Sequence, residues 1–128
     1  MIVAGVGCKR GAPTSDIEAA IRAALARAGV AVCVLDAVAT MAAKQGEAGI
    51  KEVTKKLGVR IIPVTEDDLQ AASARAATRS ARVLALMGLP SVAEAAALAA
   101  AGPRARLLGP RLIIGTATCA LATSGDGL

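Results

Sequence analysis

The sequence predicts an α/β domain, with helices layered as α/β/α on a mixed, largely parallel sheet. Short apolar runs alternate with helical patterns through the first half of the chain, the order that βαβ units produce. Glycine follows the predicted helices, and the apolar runs between them have the length of buried strands. With 128 residues, residues 1–128 form one domain by length, large enough to bury about two-thirds of the unfolded surface.

The elements follow in order. Ile2 to Gly7 reads as a short buried strand. Ser15-Asp16-Ile17-Glu18 has the form of a capping box, and Ile17, Ile21, Leu25 and Ala28 recur at helical spacing until Gly29. Val30 to Leu35 predicts a second strand that ends at Asp36, followed by a loop, "DAVATMAAKQGEAG". A helix is expected from Glu47 to Leu57, with Ile50, Val53 and Leu57 on one face and Gly58 closing it. Val59 to Val64 predicts a third strand, and Pro63 places it at a strand end or a sheet edge. Thr65 to Asp68 forms another capping pattern ahead of a short helix.

The second half is less regular. Residues 71–82, "AASARAATRSAR", predict a mobile connection, and Val83 to Met87 a short helix ended by Gly88 and Pro90. "SVAEAAALAAAG" is the plainest helix, with Ser91 and Glu94 as its capping box and Gly102-Pro103 as its stop. Ala105–Leu108 and Arg111–Ala122 read as two strands joined by a Gly109-Pro110 turn, and residues 123–128 as a flexible tail.

Composition excludes several functions. Histidine is absent, so neither a Ser-His-Asp triad, a Cys-His dyad nor an imidazole metal ligand can be built. Phe, Tyr and Trp are absent too, which leaves no stacking platform for single-stranded nucleic acid. No apolar run approaches the ~20 residues that span a bilayer, and no cations precede the first apolar stretch as in a secretion signal. A cytoplasmic protein without membrane or nucleic-acid partners is expected. The three cysteines are far apart and form no CxxC pair, which argues against a disulfide framework or a zinc site. No metal or cofactor is expected. The net charge of +5 points instead to anionic partners.

The segment "GVGCKRG" concentrates glycine, thiol and positive charge. Gly5, Gly7 and Gly11 permit close backbone approach, and N–H groups ahead of a helix can cradle an anion that Lys9 and Arg10 would grip. The competing reading is a plain turn with solvated cations. Neither the Walker spacing nor the dinucleotide fingerprint is met, because Arg10 stands where the fingerprint needs glycine. Asp36 at a strand end keeps a nucleotide-binding Rossmann-like module in view. Cys8 is either a small residue packed at a strand end or a nucleophile activated by the cations. Cys33 and Cys119 fall in apolar strand patterns and read as core. Thr40, Lys44 and Glu47 share the loop after the second strand, where open α/β sheets bind ligands, and Glu47 could orient an anion or move a proton.

Three stretches in order, "GVGCKRG", "AVATMAAKQGEAGI" and "GLPSVAEAAALAAAG", resemble the cobalamin-biosynthesis family of CobE and the C-terminal domain of CbiG. The closing "LLGPRLIIGTATCALA" resembles that family's last segment, so the likeness covers nearly the whole chain. The family pattern matches at Gly5, Gly7, Cys8, Lys9, Arg10 and Gly11, at Ala39, Thr40, Lys44 and Glu47, and at Ser91, Val92, Glu94 and Ala95. Where the family usually has Pro-Lys, this chain has Pro110-Arg111, which keeps the charge but not an amine. CbiG carries further upstream domains, so the resemblance is to the stand-alone CobE form.

That resemblance implies a role in corrin synthesis and an anionic corrinoid or precorrin as ligand, with other enzymes of the pathway as further partners. Corrin intermediates carry acetate and propionate carboxylates suited to Lys9, Arg10, Lys44 and Arg111, while aliphatic surface suits the macrocycle. A precorrin-modifying hydrolase, with Cys8 or Glu47 in the chemistry, is the enzymatic alternative. An accessory subunit whose basic loop faces a partner enzyme is another.

Overall fold

The computed structural model describes residues 1–79 and 92–124. Its centre is a six-stranded sheet with β1 (Ile2–Cys8), β2 (Ala37–Met41), β3 (Arg60–Val64), β4 (Arg106–Leu107), β5 (Leu112–Ile114) and β6 (Ala117–Thr123). The order is β3-β2-β1-β6-β4, and β5 also pairs with β6. β1, β2 and β3 are parallel neighbours, whereas β6 is antiparallel to β1, β4 and β5. The sheet is therefore mixed, with β6 the one strand that runs against the rest.

Helices cover both faces. On one, α1 (Thr14–Ala28) and α2 (Ala48–Leu57) bury Ile17, Ile21, Leu25, Ile50 and Val53 against Ile2, Ala4 and Val6 of β1. On the other, α3 (Glu66–Arg79) and α4 (Val92–Ala101) bury Leu69, Ala72, Ala96 and Leu98 with Val3 and Ala39. Residues of β1 thus alternate between the two cores, as the pleat requires. The α/β/α layering expected from the sequence is present.

Several elements differ from the sequence expectation. Val30 to Leu35 is not a strand: Val32–Val34 forms a 3₁₀ turn, Cys33 is exposed rather than core, and the second strand is Ala37–Met41, part of the segment expected to loop. A parallel strand flanked by helices is buried on both faces, and Ala37, Val38, Ala39 and Thr40 all have no exposed surface. Asp36 fixes where that strand begins. Its backbone N–H donates to the Ile2 carbonyl at 2.9 Å, and its carboxylate accepts the Ile2 N–H at 2.7 Å. Asp36 therefore starts a strand instead of ending one, at the opposite end of the sheet from the usual ligand crevice. The Rossmann-like reading loses the residue it rested on.

The Ser15 capping box does not form. Pro13 is the N-cap of α1 and makes no side-chain capping bond, while Glu18 pairs with Arg22 and Lys56. A side-chain cap is worth about 1 kcal/mol, whereas each fully buried Ile or Leu contributes about 1.5–3 kcal/mol. Packing of Ile17, Ile21 and Leu25 is enough to hold the helix without the cap. The Thr65 cap is present, its Oγ1 accepting the Asp68 N–H at 3.2 Å. Beyond it α3 continues to Arg79, so residues 71–79 are helical and not a connection, consistent with the helix propensity of their alanines and arginines. The expected helix at Val83–Met87, with Gly88, Pro90 and Ser91, lies outside the described residues. Pro63 does lie on an edge strand, since β3 ends the sheet.

Arg111 to Ala122 is not one strand. It divides into β5 and β6 around Gly115-Thr116, with Ile114 opposite Ala117. The chain also stays ordered past residue 122: Thr123 pairs with Ile2, and the Ser124 N–H donates to the Met1 carbonyl, so only residues 125–128 of the expected tail lie outside the described region.

Gly5 shows how closely α4 sits on the sheet. A Cβ there would lie 1.9 Å from the Ala93 carbonyl oxygen and 2.8 Å from the Ala97 Cβ. Overpacking a core usually costs about 1–3 kcal/mol, and a backbone carbonyl cannot turn aside as a side chain does. Gly5→Ala is expected to cost at least about 3 kcal/mol, whereas Gly7→Ala, with nothing within 4 Å of its added Cβ, should leave Tm nearly unchanged. Thermal unfolding of the two variants checks this.

Candidate functional site

The carboxyl ends of β1 and β2 meet the β5–β6 turn and the start of α4 around a cavity of about 320 Å³. Val6, Gly7 and Cys8 line it from β1 and Lys9 from the loop that follows; Thr40, Met41 and Lys44 line it from β2 and the turn after it. Val92 of α4 and Ile113, Gly115, Thr116 and Thr118 of the hairpin complete it. Its lip carries exposed apolar surface, Val92 at 43% and Ile113 at 62%. The position is the crevice outside the carboxyl ends of an open α/β sheet, where ligands bind.

Sequence-predicted residues divide around this cavity. Gly7, Cys8, Lys9, Thr40 and Lys44 line it. Gly5 does not: it is buried in β1, where α4 needs its missing side chain. Thr40 belongs to β2 instead of the loop, and its hydroxyl donates to the Val6 carbonyl at 2.9 Å, pinning β2 to β1 at the cavity floor.

The expected anion nest is largely occupied by the protein itself. The Lys9 N–H donates to the Thr116 carbonyl at 3.0 Å, and the Ala12 N–H to the Lys9 carbonyl at 3.0 Å. The Gly11 N–H donates to Glu47 Oε1 at 2.9 Å. Glu47, at the N-cap of α2, thus tethers the loop through one carboxylate oxygen. The N–H groups of Lys9, Gly11 and Ala12 are thus engaged within the protein. Among the described residues no carboxylate forms an ion pair with Lys9, Arg10 or Lys44. Lys9 and Arg10 are exposed, and Arg10 stands beyond the cavity lining.

Glu94 and Arg111 face one another at 3.6 Å, so Arg111 has an acidic partner. Neither lines the cavity. Ser91 lies outside the described residues.

Burial pushes the Cys8 thiol up from 9.0; Lys44 pulls the other way and Glu47 adds to the rise. The proposed activation of Cys8 by cations is therefore outweighed by desolvation. Cys119 is pushed up to about 12 by deeper burial. Among the described residues no group of three or more Cys, Asp or Glu side chains is placed to hold a metal ion. No helix among them is long and apolar enough to cross a membrane.

The sequence matches the family described as Cobalamin synthesis G C-terminus over residues 2–122. The chain belongs to that family. Protein CobE from a Sinorhizobium species is 36% identical over 121 residues, which cover 94% of this chain and 79% of the relative. The crystal structure of cobalamin biosynthesis protein chiG from Agrobacterium tumefaciens matches with a TM-score of 0.82 at 44% identity, over 98% of this chain and all of that one. The crystal structure of CobE, a protein from the cobalamin biosynthetic pathway, matches with a TM-score of 0.79 at 33% identity, over 95% of this chain and 89% of that one. This member of the CbiG C-terminal family is a cobalamin-biosynthesis protein.

Sequence reasoning missed Val6, Met41, Ile113, Gly115, Thr116 and Thr118 as lining residues of this CbiG C-terminal fold. Gly-Thr between the apolar runs "LII" and "ATCALA" is a hairpin signal that would have found the turn. Asp16, read only as part of a capping box, instead bonds that turn. Its Oδ2 accepts the Thr116 N–H at 3.0 Å and the Thr116 hydroxyl at 2.7 Å.

Two predictions follow from these environments. With maleimide at pH 7, Cys33 should react first, Cys8 slowly, and Cys119 only on unfolding; mass-spectrometric mapping of the labelled sites over time checks the order. The Thr116 bonds hold the Asp16 carboxyl below its ordinary 3.8. A carboxylate lowered in this way stabilises the fold above its unfolded pKa and loses that contribution as pH falls through the folded value. The Tm deficit of Asp16→Ala should therefore be full above about pH 4 and shrink below it, as scans across acid pH would read.

Proposed function

We propose that the chain binds an anionic corrinoid or precorrin intermediate at the carboxyl-end cavity. One observation carries this reading: Lys9 and Lys44, neither with an acidic partner among the described residues, flank a cavity whose lining is largely apolar and whose lip carries Val92 and Ile113. Unpaired cations beside apolar surface suit a ligand that is itself both, and a macrocycle edged with carboxylates is such a ligand. Membership of a cobalamin-synthesis family supplies the chemical class. Binding is favoured over covalent chemistry, because the Cys8 thiol is raised and Glu47 is engaged with the loop backbone. On this reading Gly7, Lys9, Lys44, Met41, Val92 and Ile113 contact the ligand, and Arg10 reaches carboxylates at the outer edge.

Titration with cobyrinic acid, a corrin with free carboxylates, and with cobinamide, whose side chains are largely amides, tests the reading. Charge-assisted hydrogen bonds are worth about 1.5–3 kcal/mol each. Lys9→Ala combined with Lys44→Ala should weaken cobyrinic acid binding at least about tenfold with little change in Tm. Affinity for cobyrinic acid should fall with added salt, as exposed charges are screened, while cobinamide binds weakly throughout. Equal affinity of wild type and double variant for cobyrinic acid would refute this site.

A further inference from the structure

We infer that Asp16 is a positioning residue for the cationic rim, setting the place of Lys9 through Thr116 without touching the ligand. The inference rests on reading Lys9 as a ligand contact. Asp16 lies in the first turn of α1, outside the cavity lining. Its Oδ2 takes both hydrogens that Thr116 can donate, from N–H at 3.0 Å and from the hydroxyl at 2.7 Å. The carbonyl of the same Thr116 then accepts the Lys9 N–H at 3.0 Å. One carboxylate thus bonds the hairpin turn, and the turn bonds the backbone of Lys9, a residue that lines the cavity.

Two further facts show that the arrangement is specific. Gly115 has φ +57°, and a Cβ there would lie 2.5 Å from Asp16 Oδ2, so the turn admits the carboxylate only because glycine precedes Thr116. Glu47 holds the other side of the same loop through the Gly11 N–H. Both acidic groups bond backbone or hydroxyl, and neither forms an ion pair with Lys9, Arg10 or Lys44 among the described residues. The loop is held by negative charge that leaves its cations available. Side chains that recognise a ligand must be held within about 0.5 Å of the productive geometry; the Ala12 N–H holds the Lys9 carbonyl from within the loop at 3.0 Å, and the Thr116 carbonyl holds the Lys9 N–H from the hairpin.

Charge and position predict opposite signs, which makes the inference testable. If Asp16 acted only as a nearby negative charge, its removal would strengthen binding of an anion. If it positions Lys9, Asp16→Ala weakens binding, while Asp16→Asn, which keeps an acceptor oxygen, restores it. Cobyrinic acid affinity should fall about tenfold in Asp16→Ala and stay within about twofold of wild type in Asp16→Asn, both measured well below Tm. Independently of any ligand, amide hydrogen exchange at Lys9 should accelerate in Asp16→Ala, with Gly11, held by Glu47, unchanged. Unchanged Lys9 exchange, or an Asp16→Ala affinity equal to or tighter than wild type, overturns the inference. Failure of the Lys9 and Lys44 double variant to lose affinity would instead refute the binding site, and the exchange measurement then decides the clamp alone.

Discussion

The site depends on the antiparallel pairing of β6 with β1. That pairing runs from Ile2 opposite Thr123 to Cys8 opposite Ala117, the full length of both strands. Because β6 enters at the carboxyl end of β1, the Gly115-Thr116 turn arrives beside the β1–α1 loop. In a sheet of parallel strands alone, that end would collect only loops leading into helices. Here a hairpin turn is added, and it supplies both the apolar Ile113 at the lip and the Thr116 carbonyl that holds Lys9. One reversed strand converts an ordinary crevice into a cavity with two differently built walls.

Charge is distributed around that cavity by a division of labour. The carboxylates nearest the loop, Asp16 and Glu47, are committed to N–H and hydroxyl donors. Elsewhere on the same helices acids meet cations, as Glu18 does with Arg22 and Lys56. Exposed pairs of that kind add little stability, about 0–1 kcal/mol, so their presence or absence at the loop is of small consequence for folding. For the proposed recognition it matters more, because a cation already paired would have to give up its partner to take a ligand carboxylate.

How much of this was legible follows from what each signal reports. Helix α2 could be placed from the sequence because Ile50, Val53 and Leu57 recur along one face and Gly58 ends it. β2 could not, because "VAVCVL" has more β-branched residues than "AVATM", and local preference chose the wrong run. Tertiary burial decided otherwise, through the Asp36 contacts to Ile2 across the sheet. The same limit applies to the site. Lys9 and Lys44 were recognisable as cations near strand ends, but the partners of Gly11 and Thr116 lie 36 and 100 residues away in sequence. Long-range bonds to backbone leave no periodicity to read. Gly5 is the instructive case: its glycine was seen and its need for close approach inferred, yet the approaching group is α4 and not a ligand.

The absence of aromatic residues links that close approach to the cavity. With only aliphatic side chains available, the face covered by α4 is filled by Ala93, Ala95, Ala96, Ala97, Leu98 and Ala101, all buried. Alanine gives each contact little apolar area, so dispersion must be gained by bringing backbones together. Gly5 permits this at the middle of β1. The first residue of α4, Val92, is brought with it to the cavity lip. A bulkier residue at position 5 would lift α4 from the sheet and carry Val92 away from the carboxyl ends of β1 and β2. The small-residue packing that lets α4 sit close on β1 also sets how near Val92 comes to the carboxyl ends of β1 and β2, so the core and the cavity share one constraint at Gly5.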